Sequence, residues 1–185
     1  MPEPDLDWFG ADNAKYESWW SGFTAGMDDG LPETRGKWVL TGSRSFGLAY
    51  PESDIEGAVI VRPEDHETIE RRLSEHLAAR GWKHTVTVTR AGLRLFILDD
   101  VPSGTDGVTI WKLEFTIREP EVHQTIASHI ERQLQSWTDE QQLLYIQEQR
   151  ADALLGERDP AARARHAARK EWLRVLLPQR QPPKE

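Results

Sequence analysis

The sequence predicts a mixed α/β or α+β domain, in which helices flank a central mixed β-sheet and a helical segment follows. Three observations support this fold class. Short apolar runs alternate with helical patterns from residue 13 onward, and only helical patterns follow residue 121. Alternating valine and threonine over 85–90, a turn at Ala91-Gly92 and an apolar return over 93–98 predict a hairpin. Strands interspersed with helices and followed by helices are typical of one mixed sheet with helical layers.

Each element follows from its local pattern. Along the chain we expect a helix over 13–27, strands over 37–41 and 54–61, a helix over 64–80, strands over 85–90, 93–98 and 108–117, and helices after 121 with breaks near 136–139 and 156–160. Gly81 stands where the C-cap of the second helix is expected. Thr138 or Asp139 is a suitable N-cap for the middle C-terminal helix.

Composition indicates a globular chain with a substantial core. The 185 residues are 38% hydrophobic and 29% charged, which suits one domain with a helical appendage. The eight tryptophans are expected mainly in the core, with Trp19 and Trp20 grouped beside Phe23 on the first helix. A tryptophan face that stacks on a base or sugar is the alternative.

Charge and residue usage exclude several classes of protein. The chain has no cysteine, no apolar run near the ~20 residues that span a bilayer, and no signal-peptide pattern, so we expect a cytoplasmic protein without a membrane partner. The net charge of −8 argues against broad coating of nucleic acid. The basic stretch 158–174 is a local exception and is most simply a solvated helix. The histidines lack zinc-ligand spacing and are expected at the surface or on helix faces.

The most informative segment joins the first two strands. Asp54 and Glu56 are two residues apart, so on a strand both carboxylates point to one face while Ile55 points to the other. Paired carboxylates on a rigid strand are suitable ligands for Mg²⁺ bridging triphosphate oxygens. Upstream, Gly42 allows the backbone to approach a phosphate, and the Ser43 hydroxyl is able to donate a hydrogen bond to it.

A third carboxylate lies in the strand predicted over 108–117. Glu114 interrupts an apolar run there, and a carboxylate in such a strand is costly to bury unless it is paired or bound to a metal. If this strand neighbours 54–61, three carboxylates converge on a site for two metal ions, and Glu114 can orient or deprotonate an acceptor hydroxyl. Lys112 shares its strand face, and either an ion pair with Glu114 or a contact with phosphate fits this position.

These residues resemble the nucleotidyltransferase superfamily that includes DNA polymerase beta. The signature of that family is Gly-Ser, a spacer of roughly ten residues, and two acidic residues flanking an apolar one. Here Gly42-Ser43 is separated by ten residues from the pair Asp54 and Glu56. The resemblance covers roughly 37–117 and is closest to the minimal bacterial and antibiotic-modifying nucleotidyltransferases. It implies a catalytic domain over 1–120 and a helical C-terminal extension over 121–185 packed on it.

The resemblance implies transfer of a nucleoside monophosphate from a nucleoside triphosphate, such as ATP, to a hydroxyl acceptor, with Mg²⁺ or Mn²⁺ as cofactor and release of pyrophosphate. We expect the catalytic and metal-binding residues to be Asp54, Glu56 and Glu114, and the triphosphate-binding residues to be Gly42, Ser43, Arg44 and Lys112. Arg44 as an ordinary surface arginine is the alternative. The second and third acids are Glu56 and Glu114 where Asp is commoner, which keeps the charge and lengthens the side chain.

Three functions stay open from the sequence. A small-molecule acceptor is the first, and an acidic cleft would suit a cationic one such as an aminoglycoside. Modification of protein or RNA in a toxin–antitoxin type of system is the second, with the basic helix near 163–174 as the docking surface. A degenerate domain that only binds nucleotide is the third. The sequence leaves the base of the nucleotide and the oligomeric state open.

Overall fold

The structure is a computed structural model that describes residues 13–99, 101, 110, 112–156 and 158–171. Its strands are β1 (Trp38–Thr41), β2 (Ile55–Ile60), β3 (Thr85–Val88), β4 (Arg94–Leu98) and β5 (Leu113–Arg118). Its α-helices are α1 (Asn13–Gly30), α2 (Gly42–Ser45), α3 (His66–Ala79), α4 (Pro120–Gln135), α5 (Asp139–Leu155) and α6 (Pro160–Glu171). The predicted fold class is confirmed, and the predicted order of helices and strands matches these elements.

Most boundaries differ from the prediction by one or two residues, and two differ by more. The first helix continues to Gly30 instead of ending at residue 27. The last strand begins at Leu113, not at residue 108, and ends at Arg118. Residues 102–109 and 111 lie outside the described part of the chain.

The five strands form one mixed sheet in the order β1-β2-β5-β4-β3. The pairing of β2 with β5 is parallel, and the other three pairings are antiparallel. A parallel pair needs a long crossover, which here contains α3 and the β3–β4 hairpin. The last strand in the sequence therefore lies in the middle of the sheet, next to the strand that follows Asp54.

One face of the sheet packs against α1 and α3 to form the main core. Phe115 of β5 stacks on Phe96 with ring centroids 4.9 Å apart, and Trp38 meets Phe115 edge-on at 5.2 Å. From α1, Trp20 is buried and Phe23 contacts both neighbouring tryptophans and Trp82. The predicted aromatic core is confirmed for these residues, whereas Trp8, Trp111 and Trp172 lie outside the described residues.

The C-terminal helices are separated where the sequence predicts. Thr138, one of the two candidate N-caps, begins α5 with a capping box, because its hydroxyl accepts from the Gln141 amide and the Gln141 side chain accepts from the Thr138 amide. Helix α6 is tied to α5 by Arg165 and Arg169, which both donate to Asp152. Across the described residues, no helix is both long and apolar enough to cross a membrane.

Candidate active site

Two carboxylates lie side by side on the parallel strands. Glu56 of β2 is the register partner of Glu114 of β5. Their flanking residues Ile55 and Leu113 are fully buried in the main core, so alternation directs both carboxylates to the opposite face of the sheet. Asp54 directly precedes β2. The predicted adjacency of the two acidic strands is therefore confirmed.

The negative charges of Glu56 and Glu114 act on the carboxyl group of Asp54. Partial burial raises the pKa of Asp54, and the negative charges of Glu114 and Glu56 raise it further, against the opposing charges of Lys112 and Lys170. Among the described residues, however, no three Asp, Glu or His side chains are close enough together to hold a metal ion. The carboxylates thus share one face without forming a ready coordination shell.

An ion pair explains the position of Glu114. Lys112 and Glu114 are paired within hydrogen-bond distance, which is one of the two alternatives for Lys112. Burial disfavours the ammonium form, but the hydrogen bond and charge of Glu114, together with Asp54, raise the pKa of Lys112 overall. For one cation to bind all three carboxylates, Glu114 must exchange Lys112 for that cation.

The turn after β1 is built around Gly42. Its φ of +70° lies in the left-handed region, which side chains rarely adopt. A Cβ at this position would also collide with the carboxylate of Glu56. Gly42 therefore lies directly against Glu56, and the following Ser43 lines a cavity together with Asp54, Glu56 and Glu114.

Arg44 has a different environment from the one expected. Its side chain is only 4% exposed, and Nη2 donates to the carbonyl oxygens of Ser53 at 2.6 Å and Pro51 at 3.3 Å. The guanidinium carbon also lies 3.4 Å from the ring centroid of Tyr16. Arg44 does not line either cavity described next. This placement favours positioning of the loop before Asp54 over contact with a triphosphate.

Two cavities meet at the carboxylates. The smaller, about 380 Å³, is lined by Ser43, Asp54 and residues from the C-terminal helices. The larger, about 830 Å³, extends between the sheet and α4. Gly42, Glu56 and Glu114 line both. Both cavities therefore adjoin the Glu56 and Glu114 carboxylates.

The C-terminal helices contribute site residues that sequence reasoning missed. From α5 and α6 the smaller cavity is lined by Tyr145, Gln149, His166 and Lys170. Tyr145 and Gln149 are four residues apart and therefore lie on one face of α5. This spacing is the feature of the sequence from which their shared position could have been predicted. Lys170 lies within the basic stretch interpreted as a solvated helix. The amide oxygen Oε1 of Gln149 is buried without a hydrogen-bond partner among the described residues, while its Nε2 donates to Tyr145.

No protein-family model matches the sequence, and no curated protein matches it either. Among solved structures, the chain is similar to Cid1 poly(U) polymerase with Mg 3′-dATP bound, at 13% identity and a TM-score of 0.50 over 77% of this chain and 42% of that chain. A structure of Cid1 described for its RNA terminal uridylyl transferase activity matches at 16% identity and a TM-score of 0.50, over 68% of this chain and 36% of that one.

The chain spans less than half the length of these two structures. At this level of identity the likeness defines the fold. The chain has the fold of the nucleotidyltransferase superfamily, which confirms the resemblance predicted from Gly42-Ser43 and the acidic residues.

Proposed function

We propose that this protein is a metal-dependent nucleotidyltransferase, which moves a nucleoside monophosphate from a nucleoside triphosphate to an acceptor hydroxyl. One observation carries the proposal. Glu56 and Glu114 are register partners on parallel strands, with Asp54 at the start of the first strand and Gly42 against Glu56. In a chain with this fold, such an arrangement supports phosphoryl chemistry at that edge of the sheet.

The donor set fits a hard divalent cation. Asp54, Glu56 and Glu114 would hold Mg²⁺ or Mn²⁺ through carboxylate oxygens, the ligands that such ions prefer. Mutual repulsion of the carboxylates contributes to the raised pKa of Asp54, and a bound cation would relieve it. When bound, the cation would supply Lewis-acid polarisation of the reacting phosphate.

The residues of the chain then have distinct roles. The acceptor oxygen attacks the α-phosphorus, a new P–O bond forms, and the bond to the bridging oxygen breaks so that pyrophosphate leaves with the electron pair. Glu114 receives the hydroxyl proton. Gly42 and Ser43 hold the β- and γ-phosphates, and Lys170 supplies positive charge from α6.

We assign a small molecule as the acceptor. The 830 Å³ cavity beside Glu114 has the size of a typical small-molecule site. RNA is the second candidate, since the similar structures belong to a poly(U) polymerase. Docking of RNA on the basic C-terminal helix receives little support, because Arg165 and Arg169 are paired with Asp152.

The test is pyrophosphate release from each of the four NTPs with Mg²⁺ or Mn²⁺, over pooled small-molecule alcohols and total RNA. Asp54→Asn and Glu56→Gln should each reduce release by about 100-fold or more, because each removes a metal ligand. Glu75→Gln, in an exposed ion pair with Arg71, is the matched control and should retain full activity. Nucleotide binding without any release would instead indicate a domain that only binds nucleotide.

A further inference from the structure

The larger cavity has a mainly apolar wall. Its apolar side chains come from β1, the segment after α2, β4 and α4, and they include Val39, Phe46, Leu95, Ile126, Ala127 and Ile130. The outward face of β5 supplies the floor through Glu114, Thr116 and Arg118. An occupant in contact with these surfaces would bury an apolar body, which favours binding by the hydrophobic effect.

A cation lines the same cavity as the carboxylate pair, further along β5. Arg118 follows Glu114 by four residues on β5, two positions further along the same face of the sheet. Its Nε donates to the neutral hydroxyl of Thr116 at 2.7 Å. Burial lowers the pKa of Arg118, while the charge of Glu56 opposes that shift. The guanidinium is therefore desolvated beside a neutral hydrogen-bond partner.

A second polar group that lines the cavity lies near Arg118. Nδ1 of His123, on the first turns of α4, is buried without a hydrogen-bond partner among the described residues. Burial and the charge of Arg118 both lower the pKa of His123, so its imidazole is neutral at physiological pH. A neutral imidazole nitrogen beside a desolvated guanidinium can donate to an anionic oxygen.

Together these groups define the polarity of an occupant. A carboxylate accepts from a guanidinium in a planar, bidentate geometry, and desolvation strengthens that interaction. Glu56 and Glu114, in contrast, repel an anion and can accept from a hydroxyl. An acidic cleft would suit a cationic acceptor, whereas Arg118 and His123 give this part of the cavity wall a preference for an anion.

We propose that this cavity is the acceptor site, and that it takes a small molecule with an apolar body, a hydroxyl at Glu114 and a carboxylate at Arg118. This inference rests on the proposed nucleotidyl transfer for the role of the hydroxyl. The charge preference itself rests on Arg118 and His123, because Arg90 and Glu171, which also line the cavity, carry opposite charges on exposed side chains. It can therefore be tested without nucleotide.

The experiment compares three probes that share one body: 4-(hydroxymethyl)phenylacetate, its neutral amide and the matching primary amine. Binding to the full chain is measured by ligand-observed NMR titration without nucleotide or metal. The carboxylate should bind about 10-fold or more tightly than the amide, and the amine should bind weakest, since a charge-assisted hydrogen bond is stronger than a neutral one. Equal binding of all three, tightest binding of the amine, or no binding of the carboxylate overturns the proposal.

Substitutions of Arg118 test whether this residue causes the preference for the carboxylate probe. Arg118→Gln should abolish the advantage of the carboxylate, Arg118→Lys should retain part of it, and the exposed control Arg71→Gln should leave it unchanged. If Arg118→Gln unfolds, the ranking of the probes on the wild type and on Arg118→Lys still decides the question. An unchanged preference in a folded Arg118→Gln variant contradicts the assignment. Correct probe ranking without pyrophosphate release would refute the enzymatic proposal while leaving the binding site intact.

Discussion

At the scale of single residues, Gly42 connects backbone geometry to the acidic site. Its left-handed φ is shared with Gly36, which also has a φ of +70°. The two glycines differ in what surrounds them. A Cβ at Gly36 would meet nothing within 4 Å, whereas a Cβ at Gly42 would displace the Glu56 carboxylate. A comparison of substitutions at the two glycines therefore separates the effect of the left-handed backbone on stability from the effect of a new Cβ on the Glu56 carboxylate.

Gly36→Ala should destabilise the fold by roughly 1–2 kcal/mol, because it places a side chain in the left-handed region. Gly42→Ala carries the same cost and should destabilise the fold further, because its Cβ also collides with the Glu56 side chain. Only Gly42→Ala should also abolish Mn²⁺ binding and pyrophosphate release, since Glu56 must move. Thermal unfolding and a Mn²⁺ titration measure the two effects separately. Full metal binding by Gly42→Ala would contradict the role of Glu56 as a ligand.

Asp54 predicts a pH-dependent stability of the metal-free protein. Because the pKa of Asp54 is raised in the folded state, folding disfavours its charged form. The resulting loss of stability develops as the pH rises from the usual pKa of an aspartate to the raised pKa and above it. Asp54→Asn removes the cost, so the variant should melt a few degrees higher than wild type at pH 7 without divalent ions. The gain should disappear toward low pH. The exposed Asp29→Asn serves as control, and a lower melting temperature of Asp54→Asn at pH 7 would refute the prediction.

At the scale of elements, an ion pair attaches α5 to the loop before β2. Arg150 donates to both carboxylate oxygens of Glu52, at 2.9 and 2.8 Å, and the pair is about one-third exposed. The hydrogen bond from Arg150 holds the pKa of Glu52 below its usual range. The ion pair therefore stabilises the fold at pH values above the usual pKa of a glutamate. This stabilisation is lost as the pH falls through the lowered pKa of Glu52.

Glu52→Gln should cost about 0.5–1 kcal/mol of stability at pH 7, a value typical of partly exposed pairs, and should raise the KM for nucleotide because α5 carries Tyr145 and Gln149. Urea unfolding and initial rates measure these effects. The control is Arg71→Gln, which breaks the more exposed pair with Glu75. Loss of stability equal to that of the control, with unchanged KM, would show that this attachment has no role in the site.

Much of the local structure can be predicted from the sequence, since strands, helix breaks and the Thr138 cap depend on neighbouring residues. The adjacency of Glu56 and Glu114 is also predictable, because the motif resembles a family in which these strands pair. The environment of Arg44 cannot be predicted in this way, because its contacts with Tyr16 and with the Ser53 carbonyl oxygen come from residues distant in the sequence. The position of Lys170 at the smaller cavity is also not predictable from the sequence. It depends on the packing of α6 on α5, in which Arg165 and Arg169 pair with Asp152 while Lys170 faces the cavity.

At the scale of the whole molecule, the site is completed by helices that follow the sheet in sequence. Lys170 lies on α6, which depends on Asp152 for its attachment to α5, and its charge reaches Asp54. If the chain is divided into a catalytic domain over 1–120 and an extension over 121–185, residues of both parts would bind the triphosphate.

Lys170→Gln should raise the Kd for nucleoside triphosphate about 10-fold, since it removes a charge-assisted contact, with a smaller effect on the Kd for nucleoside monophosphate. The exposed Lys83→Gln is a charge-matched control. Equal affinity of Lys170→Gln and wild type for the triphosphate would remove α6 from the site. Fluorescence titration with each nucleotide in Mn²⁺ measures both constants.

The place of β5 between β2 and β4 has a consequence during synthesis of the chain. Until β5 leaves the ribosome, the nascent sheet consists of two separate hairpin-like halves, each with an unpaired edge. Translation products that end before Leu113 would expose both edges and lack one of the acidic residues. Such fragments should self-associate through the open strands and fail to bind divalent ions, so premature termination would yield aggregates and not a shorter folded protein.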